Sequence, residues 1–140
     1  MGFVFLGSIL TKFASWFDAT VLVVTRKMRI LALDSATSAC SAAVLCDGEI
    51  TAHRYEEMSR GQAESLIPMI ADTMSAAGLA FDLLDAIAVT VGPGAFTGVR
   101  IGLSTAQSLA LASGKPLVGV TTLEAVFAAQ GETFTPCLVA

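Results

Sequence analysis

The sequence predicts an α/β domain on a mixed, five-stranded sheet with element order βββαβαβα, and three observations predict it. Three strand-like runs lie between Arg29 and Tyr55 with no helical spacing among them, and an Asp47-Gly48 turn joins the last two. Helical and strand periods then alternate towards the end of the chain, which implies parallel crossovers with helices on the sheet faces. From Val89 to Gln107 runs V-T-V-G-P-G-A-F-T-G-V-R-I-G-L-S-T-A-Q, a buried strand, a glycine-rich loop and a helix of small residues. At 140 residues, 54% apolar and 14% charged, the chain has one domain's length and more core residues than an ordinary domain of that size. Part of its apolar surface is therefore expected to be covered by a second domain or a partner chain.

The elements follow in order. Arg29–Leu33 is a buried strand by its apolar run, ending on the small hydroxyl and carboxylate residues Asp34-Ser35-Ala36-Thr37-Ser38, which read as a turn. Ser41–Leu45 is the second strand and Glu49–Tyr55 returns antiparallel to it through Asp47-Gly48. After a polar linker from Glu56 to Gln62, Leu66, Ile67, Ile70, Met74 and Ala77 recur at helical spacing, with Gly78 as the stop. Two starts are open to this helix: Ser65 caps it with Pro68 in the first turn, or an earlier turn exists and Pro68 kinks it. Ala86–Val91 is a buried strand, Gly98–Ser113 a helix closed by Gly114, Pro116–Val120 a strand and Thr122–Gln130 a helix. Pro136–Ala140 starts a further apolar strand, and a chain stopping there is expected to continue into a second lobe.

Ahead of this fold, Met1 to Lys27 is apolar and aromatic, but Lys12 and Asp18 interrupt it well short of the roughly 20 residues of a spanning helix. Its positive charge follows the apolar stretch, opposite to a secretory signal. Residues 1–27 read as an upstream extension outside the fold, with 28–140 as the lobe. The competing reading is a membrane-surface anchor with Arg26, Lys27 and Arg29 at the headgroups.

From Met28 onward five basic residues face eleven acidic ones, so no surface tracks a phosphate backbone and any RNA would have to be met through another protein. Cys40, Cys46 and Cys137 are odd in number without C-x-x-C spacing, and His53 is the only histidine, which gives neither a disulfide framework nor a zinc site. The cysteines read as small buried thiols of a reducing cytoplasm, and His53 as an exposed or rim residue.

Gly92, Gly94 and Gly98 allow a tight turn and leave amides uncovered beside a helix N-terminus, where an anion or a partner's polar group could dock. The loop departs from both phosphate-binding patterns: Val99-Arg100 replace the Lys-Ser/Thr of a P-loop, and Thr97 stands at the third glycine of the dinucleotide pattern. A tight strand-to-helix connection is the favoured reading over an anion cradle. On a helical wheel Val99, Leu103, Ala106 and Ala110 form one apolar face and Ile101, Thr105, Ser108 and Ala112 another, with Arg100, Ser104 and Gln107 as a narrow polar strip. One face can rest on the sheet. The other needs a close neighbour, in the same chain or a second one, and the helix at Leu66–Ala77 is the first candidate.

Taken together, Arg29-Ile-Leu-Ala-Leu-Asp-Ser-Ala-Thr, the Cys46-Asp-Gly hairpin, Ile67-Pro-Met and Gly92-Pro-Gly-Ala-Phe-Thr-Gly-Val-Arg-Ile-Gly-Leu closely resemble the TsaB (YeaZ-type) family, in continuous order from Met28 to Ala140. The resemblance implies the first of two lobes of the actin-like, Hsp70-like and sugar-kinase-like ATPase superfamily, with its ribonuclease H-like sheet. It implies a role in making N6-threonylcarbamoyladenosine at adenosine 37 of tRNA, as a non-catalytic cytoplasmic subunit that partners the transferase TsaD, with the ATPase TsaE joining them and tRNA met only indirectly. A homodimer is the other expected assembly. No catalytic residue, cofactor, metal or membrane is implied. In the catalytic relative two metal-binding histidines, four residues apart, open the helix after the fifth strand, and those positions fall here on Thr122 and Val126. Neither H-E-x-x-H nor a nucleophile elbow occurs, so a peptidase is disfavoured too. The family often has arginine before its G-P-G, serine after it and histidine at the position of Gln62, where this chain has Val91 and Ala95.

These readings give two sets of site residues. Met69, Thr73 and Ala76 with Ile101, Thr105, Ser108 and Ala112 form the expected partner interface. Asp34 and Thr37, where that superfamily places a phosphate-facing loop, with Gly92 and Gly94, are the nucleotide-binding candidates of the alternative, an ATPase or sugar-kinase-like lobe. A turn in which Asp34 bonds nearby amides accounts for the same residues and is preferred.

Overall fold

A computed structural model describes residues 28–129; the expectations for 1–27, Pro136–Ala140 and Cys137 fall outside the described residues. Five strands form one sheet: β1 (Arg29–Thr37), β2 (Ala39–Cys46), β3 (Glu49–Glu57), β4 (Ala86–Thr90) and β5 (Leu117–Val120), in the spatial order β3-β2-β1-β4-β5. β1–β2 and β2–β3 are antiparallel, β1–β4 and β4–β5 parallel. Three helices complete the order: α1 (Gln62–Ala76), α2 (Phe96–Ser113) and α3 (Thr122–Ala129). A short 3-10 turn at Phe81–Leu83, unexpected from the sequence, leads into β4.

The βββαβαβα order stands as expected, because each strand carries its own reason to form. Asp47 (φ 56) and Gly48 (φ 87) both take the left-handed conformation, which a two-residue hairpin requires and which this pair tolerates. β1 is longer than expected. Asp34 pairs with Ser41 and Thr37 with Ala39, with a register irregularity between them, so the small polar residues continue the strand and the reversal shrinks to Ser38. Asp34 accepts from the Ala36 amide at 3.0 Å, satisfying a donor that the irregularity takes out of the ladder.

α1 starts at Gln62 after a left-handed Gly61 (φ 82), and the Ser65 amide donates to the Gly61 carbonyl. The Ser65 cap is thereby corrected. An earlier turn exists, and Pro68 sits inside the helix with its ring on the exposed side, where the unpaired carbonyl of Glu64 can meet water. The helix closes as expected, with Gly78 left-handed (φ 62) one residue beyond the cap.

Both faces of the sheet are buried. On one, Leu31, Leu33, Cys40, Ala42, Val44, Ile87 and Val89 meet Leu66, Met69, Ile70 and Met74 of α1 and Ala106 and Ala110 of α2. Ile30, Ala32, Ala43, Leu45, Ala86 and Ala88 make a second cluster on the other. Burial of the large aliphatic side chains, at about 25 cal/mol per Å² of apolar surface, supplies the main driving force. Arg29 ties the start of β1 to the turn before β4, its backbone amide and Nε both donating to Asp85.

Candidate functional site

The ends of β1 and β4 converge on the glycine loop. Gly92 is left-handed (φ 102) and buried, and the loop it opens lies directly on Ser35 and Ala36. A Cβ on Gly94 or on Gly98 would drive into the carbonyl oxygen of Ala36 or of Ser35 respectively, and one on Gly102 would lie 2.6 Å from the Ser35 hydroxyl. Two hydrogen bonds fasten the contact: the Ala95 amide donates to the Ala36 carbonyl at 2.7 Å and Ser35 Oγ to the Gly98 carbonyl at 2.8 Å. The glycines are therefore used for a backbone-to-backbone approach of α2 onto β1. The sheet-facing stripe of α2 is Gly98, Gly102, Ala106 and Ala110. Of the wheel face Val99, Leu103, Ala106 and Ala110, the last two lie in this stripe, whereas Val99 and Leu103 are half-buried at its margin and Gly98 and Gly102 take their place.

Of the four nucleotide-binding candidates, Asp34 and Gly94 are engaged within the chain, whereas Thr37 borders an open cleft. Asp34 is buried, and its Oδ1 accepts from Ala36 N and from the Thr90 hydroxyl. Thr37 is exposed, its carbonyl accepting from Gln62 Nε2 at 3.0 Å. Ala36 occupies the side of Gly94 where an approaching group would sit. Beside this contact, rather than within it, opens a cleft of about 570 Å³ between the starts of α1 and α2, lined among others by Thr37, Ser38, Arg60, Glu64, Phe96 and Ile101. At its rim Phe96 is 74% exposed and lies under the Arg100 guanidinium, 5.2 Å from ring centroid to Cζ.

The expected partner-facing residues divide. Met69 and Thr73 are buried within the chain, Met69 in the core beneath α1 and Thr73 with its hydroxyl donating to the Met69 carbonyl at 2.7 Å. Buried in this way, neither is exposed to a partner. Ile101 and Thr105 are half-buried, while Ala76, Ser108 and Ala112 are exposed. Ser104 and Leu111, the latter 87% exposed, lie on the same outer side of α2 and were not among the expected residues. Their helical phase, opposite the glycine stripe, was available in the sequence once that stripe was placed.

At the start of α3 the Thr121 amide and hydroxyl both donate to Glu124 Oε2, and the Glu124 amide donates to Thr121 Oγ1. This reciprocal capping box has the sequence signature T-x-x-E, which the reading of this segment for metal ligands passed over. At the two positions where a metal-binding relative would carry histidines, Val126 offers no donor atom, and Thr122 Oγ1 is buried with no hydrogen-bond partner. The pair does not fit a metal ion. Among the described residues no three His, Cys, Asp or Glu side chains gather to hold one, and no helix is long and apolar enough to cross a membrane.

Of the remaining titratable groups, Cys40 is buried beneath α1 and its thiol is pushed up to about 11, first by burial and then by the charges of Asp34 and Glu56. His53 is exposed on β3.

Comparison with known proteins agrees with this architecture. The family described as TsaD, tRNA N6-adenosine threonylcarbamoyltransferase, matches residues 50–140. The tRNA threonylcarbamoyladenosine biosynthesis protein TsaB of Escherichia coli K12 is 46% identical over 96 residues, which are 69% of this chain and 41% of that protein. TsaB of Haemophilus influenzae is 39% identical over 107 residues, 76% of this chain and 45% of that one. A tRNA N6-adenosine threonylcarbamoyltransferase of Moorella thermoacetica is 38% identical over 65% of this chain and 31% of its own length. The structure of YeaZ from Pseudomonas aeruginosa superposes with a TM-score of 0.64 at 45% identity, covering 67% of this chain and 44% of that one. The chain thus spans less than half the length of the TsaB relatives it matches. With its five-stranded sheet order and its glycine loop both accounted for, the chain belongs to the TsaD family, as a homologue of the TsaB/YeaZ proteins.

Proposed function

We propose that this chain serves the threonylcarbamoyladenosine modification of tRNA as a non-catalytic scaffolding or activating subunit in the cytoplasm. Its working surface is the outer face of α1 and α2, which docks on a TsaD-type transferase in a complex that a TsaE-type ATPase joins. The observation that carries this reading is the structure of α2. Its glycine-alanine stripe is committed to β1, yet the opposite side, through Ser104, Ser108, Leu111 and Ala112, stays exposed and nearly free of charge. Small residues there allow another helix to approach closely. The names of the relatives supply the pathway, and the capping box with Val126 supports a role outside the chemical step.

The test is co-purification of the chain with a TsaD-type transferase, comparing the parent with Ala112→Arg. Ala112 is exposed, so a long cation there leaves the fold alone and obstructs a close helix. Binding reduced at least about tenfold is the expected result, equivalent to about 1.4 kcal/mol; unchanged binding overturns the assignment of this face. Met69→Glu is unsuitable for the purpose, because it would bury a charge in the chain's own core. The alternative, a nucleotide-binding ATPase lobe, has less to draw on, since Asp34 Oδ1 is already engaged twice and Ala36 occupies the glycine cradle.

A further inference from the structure

The two faces of the sheet are equally buried but not equally covered. On the second face Ile30, Ala32, Ala43, Leu45, Ala86 and Ala88 are at most 4% exposed, yet among the described side chains their cluster contains only strand residues and Met28. α1 and α2 pack on the opposite face, and α3, which follows the edge strand β5, leaves Leu123 and Val126 exposed. The cover of this face therefore comes from elsewhere in the chain.

The face itself describes what fits it. Its six residues lie on the neighbouring strands β2, β1 and β4, which at about 4.8 Å apart make a strip about 10 Å across, the width of one helix. Ala32, Ala43, Ala86 and Ala88 make the strip shallow, so large side chains from outside are needed to fill it to the density of a protein interior. Met28 packs against it and is held by its carbonyl, which accepts from the Asp47 amide at 3.0 Å. The chain ahead of β1 thus departs from the edge of the strip.

The sequence before Met28 carries the matching pattern. At about 100° per residue Leu6, Ile9, Leu10, Phe13, Trp16 and Phe17 fall on one side of a helix, and Ser8, Thr11, Lys12, Ser15 and Asp18 on the opposite side. A helix that lies on a membrane is rich in lysine and arginine along its polar side, whereas here Lys12 and Asp18 cancel. Beyond α3, Gly131 and Pro136 interrupt any comparable repeat.

We propose that residues 6–19 form an amphipathic helix that docks its aromatic side on the second face of the sheet and completes the lobe. Part of the segment expected to lie outside the fold is thereby assigned to it. The helix sits across the sheet from α1 and α2, so its assignment stands or falls independently of the docking surface proposed above.

Trp16 is the only tryptophan, and its fluorescence in the dilute, lipid-free 140-residue chain tests the assignment directly. A buried indole is expected: blue-shifted emission, acrylamide quenching several-fold slower than in the urea-unfolded chain, and a red shift on unfolding whose midpoint coincides with that of the far-ultraviolet circular dichroism. Phe13→Ala, at the centre of the apolar side, should raise the unfolding constant by about a hundredfold or more, and Ser15→Asp, on the polar side, by less than about threefold. The quenching measurement needs no substitution and decides the case if Phe13→Ala fails to fold. Trp16 quenched as fast as in the unfolded chain, a red shift that precedes loss of the sheet, or equal effects of the two variants overturns the proposal. So does protection of Trp16 that requires anionic vesicles, the mark of a membrane anchor, or that is lost on dilution, the mark of a second copy.

Discussion

The two helices on one face of the sheet reach it by different means. α1 is held above β2 by Leu66, Met69, Ile70 and Met74, long side chains that can shift among rotamers. α2 is pressed onto β1 through Gly98 and Gly102, where backbone meets backbone. The first seat is adjustable and the second is not. Rigid contact at α2 fixes the angle at which the helix leaves the loop, and with it the position of Ser108 and Ala112 on the outside. The contrast predicts that equal changes in volume will have unequal consequences on the two helices.

The largest effect is expected at Gly98. Gly98→Ala adds a single methyl group, but that group meets the Ser35 carbonyl, which is part of a paired strand and cannot swing aside. A loss of about 3 kcal/mol or more in denaturant unfolding is expected, the upper end for overpacking. A loss below about 1 kcal/mol would mean that α2 can lift off β1 and that the rigid-seat account is wrong. Ser35→Ala comes next. It removes the buried donor to the Gly98 carbonyl while leaving the packing almost intact, and about 1 kcal/mol is expected for the lost hydrogen bond, since that carbonyl keeps its place in the helix ladder.

The seat of α1 can be probed by pH. Cys40, under that helix, has its thiol raised from the ordinary 9.0 to about 11, chiefly by burial. In the folded chain the thiol keeps its proton between those values, whereas the unfolded chain gives it up. Its contribution to stability is therefore complete below about pH 9 and is lost as the pH rises towards 11, by linkage. A fall on the order of 1 kcal/mol across that window is expected, read from melting curves. Cys40→Ala should remove the fall; if the slope survives the substitution, another group causes it.

How much of this was legible in the sequence follows the same division. α1 was recognisable because side-chain packing writes a periodic pattern, and Leu66, Ile70 and Met74 appear at the spacing the structure uses. Its start was left between two turns, since Gly61 precedes it with no side-chain cap and Pro68 is compatible with either. The sheet face of α2 was legible at Ala106 and Ala110 but not at Gly98 and Gly102, for a related reason. Glycine carries no hydrophobic signal, so the wheel favoured Val99 and Leu103 over the residues in closest contact. The element order and the mixed sheet could be inferred from the hairpin and the crossovers, but not the extension of β1 to Thr37, where Asp34 bonds the Ala36 amide. Of the residues expected to face a partner, Ala76, Ser108 and Ala112 are exposed. Met69 and Thr73 were placed there because a helical repeat gives the phase of a residue without saying how deeply the fold buries it.

The smallest expected effects complete the comparison. Met69→Leu keeps volume at the adjustable seat and should cost less than about 1.5 kcal/mol, against the larger loss from one methyl group at Gly98. Ala112→Arg, on the side of α2 facing away from the glycine stripe, should change stability by no more than about 0.5 kcal/mol in the same unfolding experiment. That null result gives the binding test its meaning. If Ala112→Arg leaves unfolding unaltered and still removes the transferase from the complex, the loss belongs to the surface rather than to the fold. If it destabilises the chain as much as Ser35→Ala, Ala112 is covered from within, and the outer face of α2 is smaller than its exposed residues indicate.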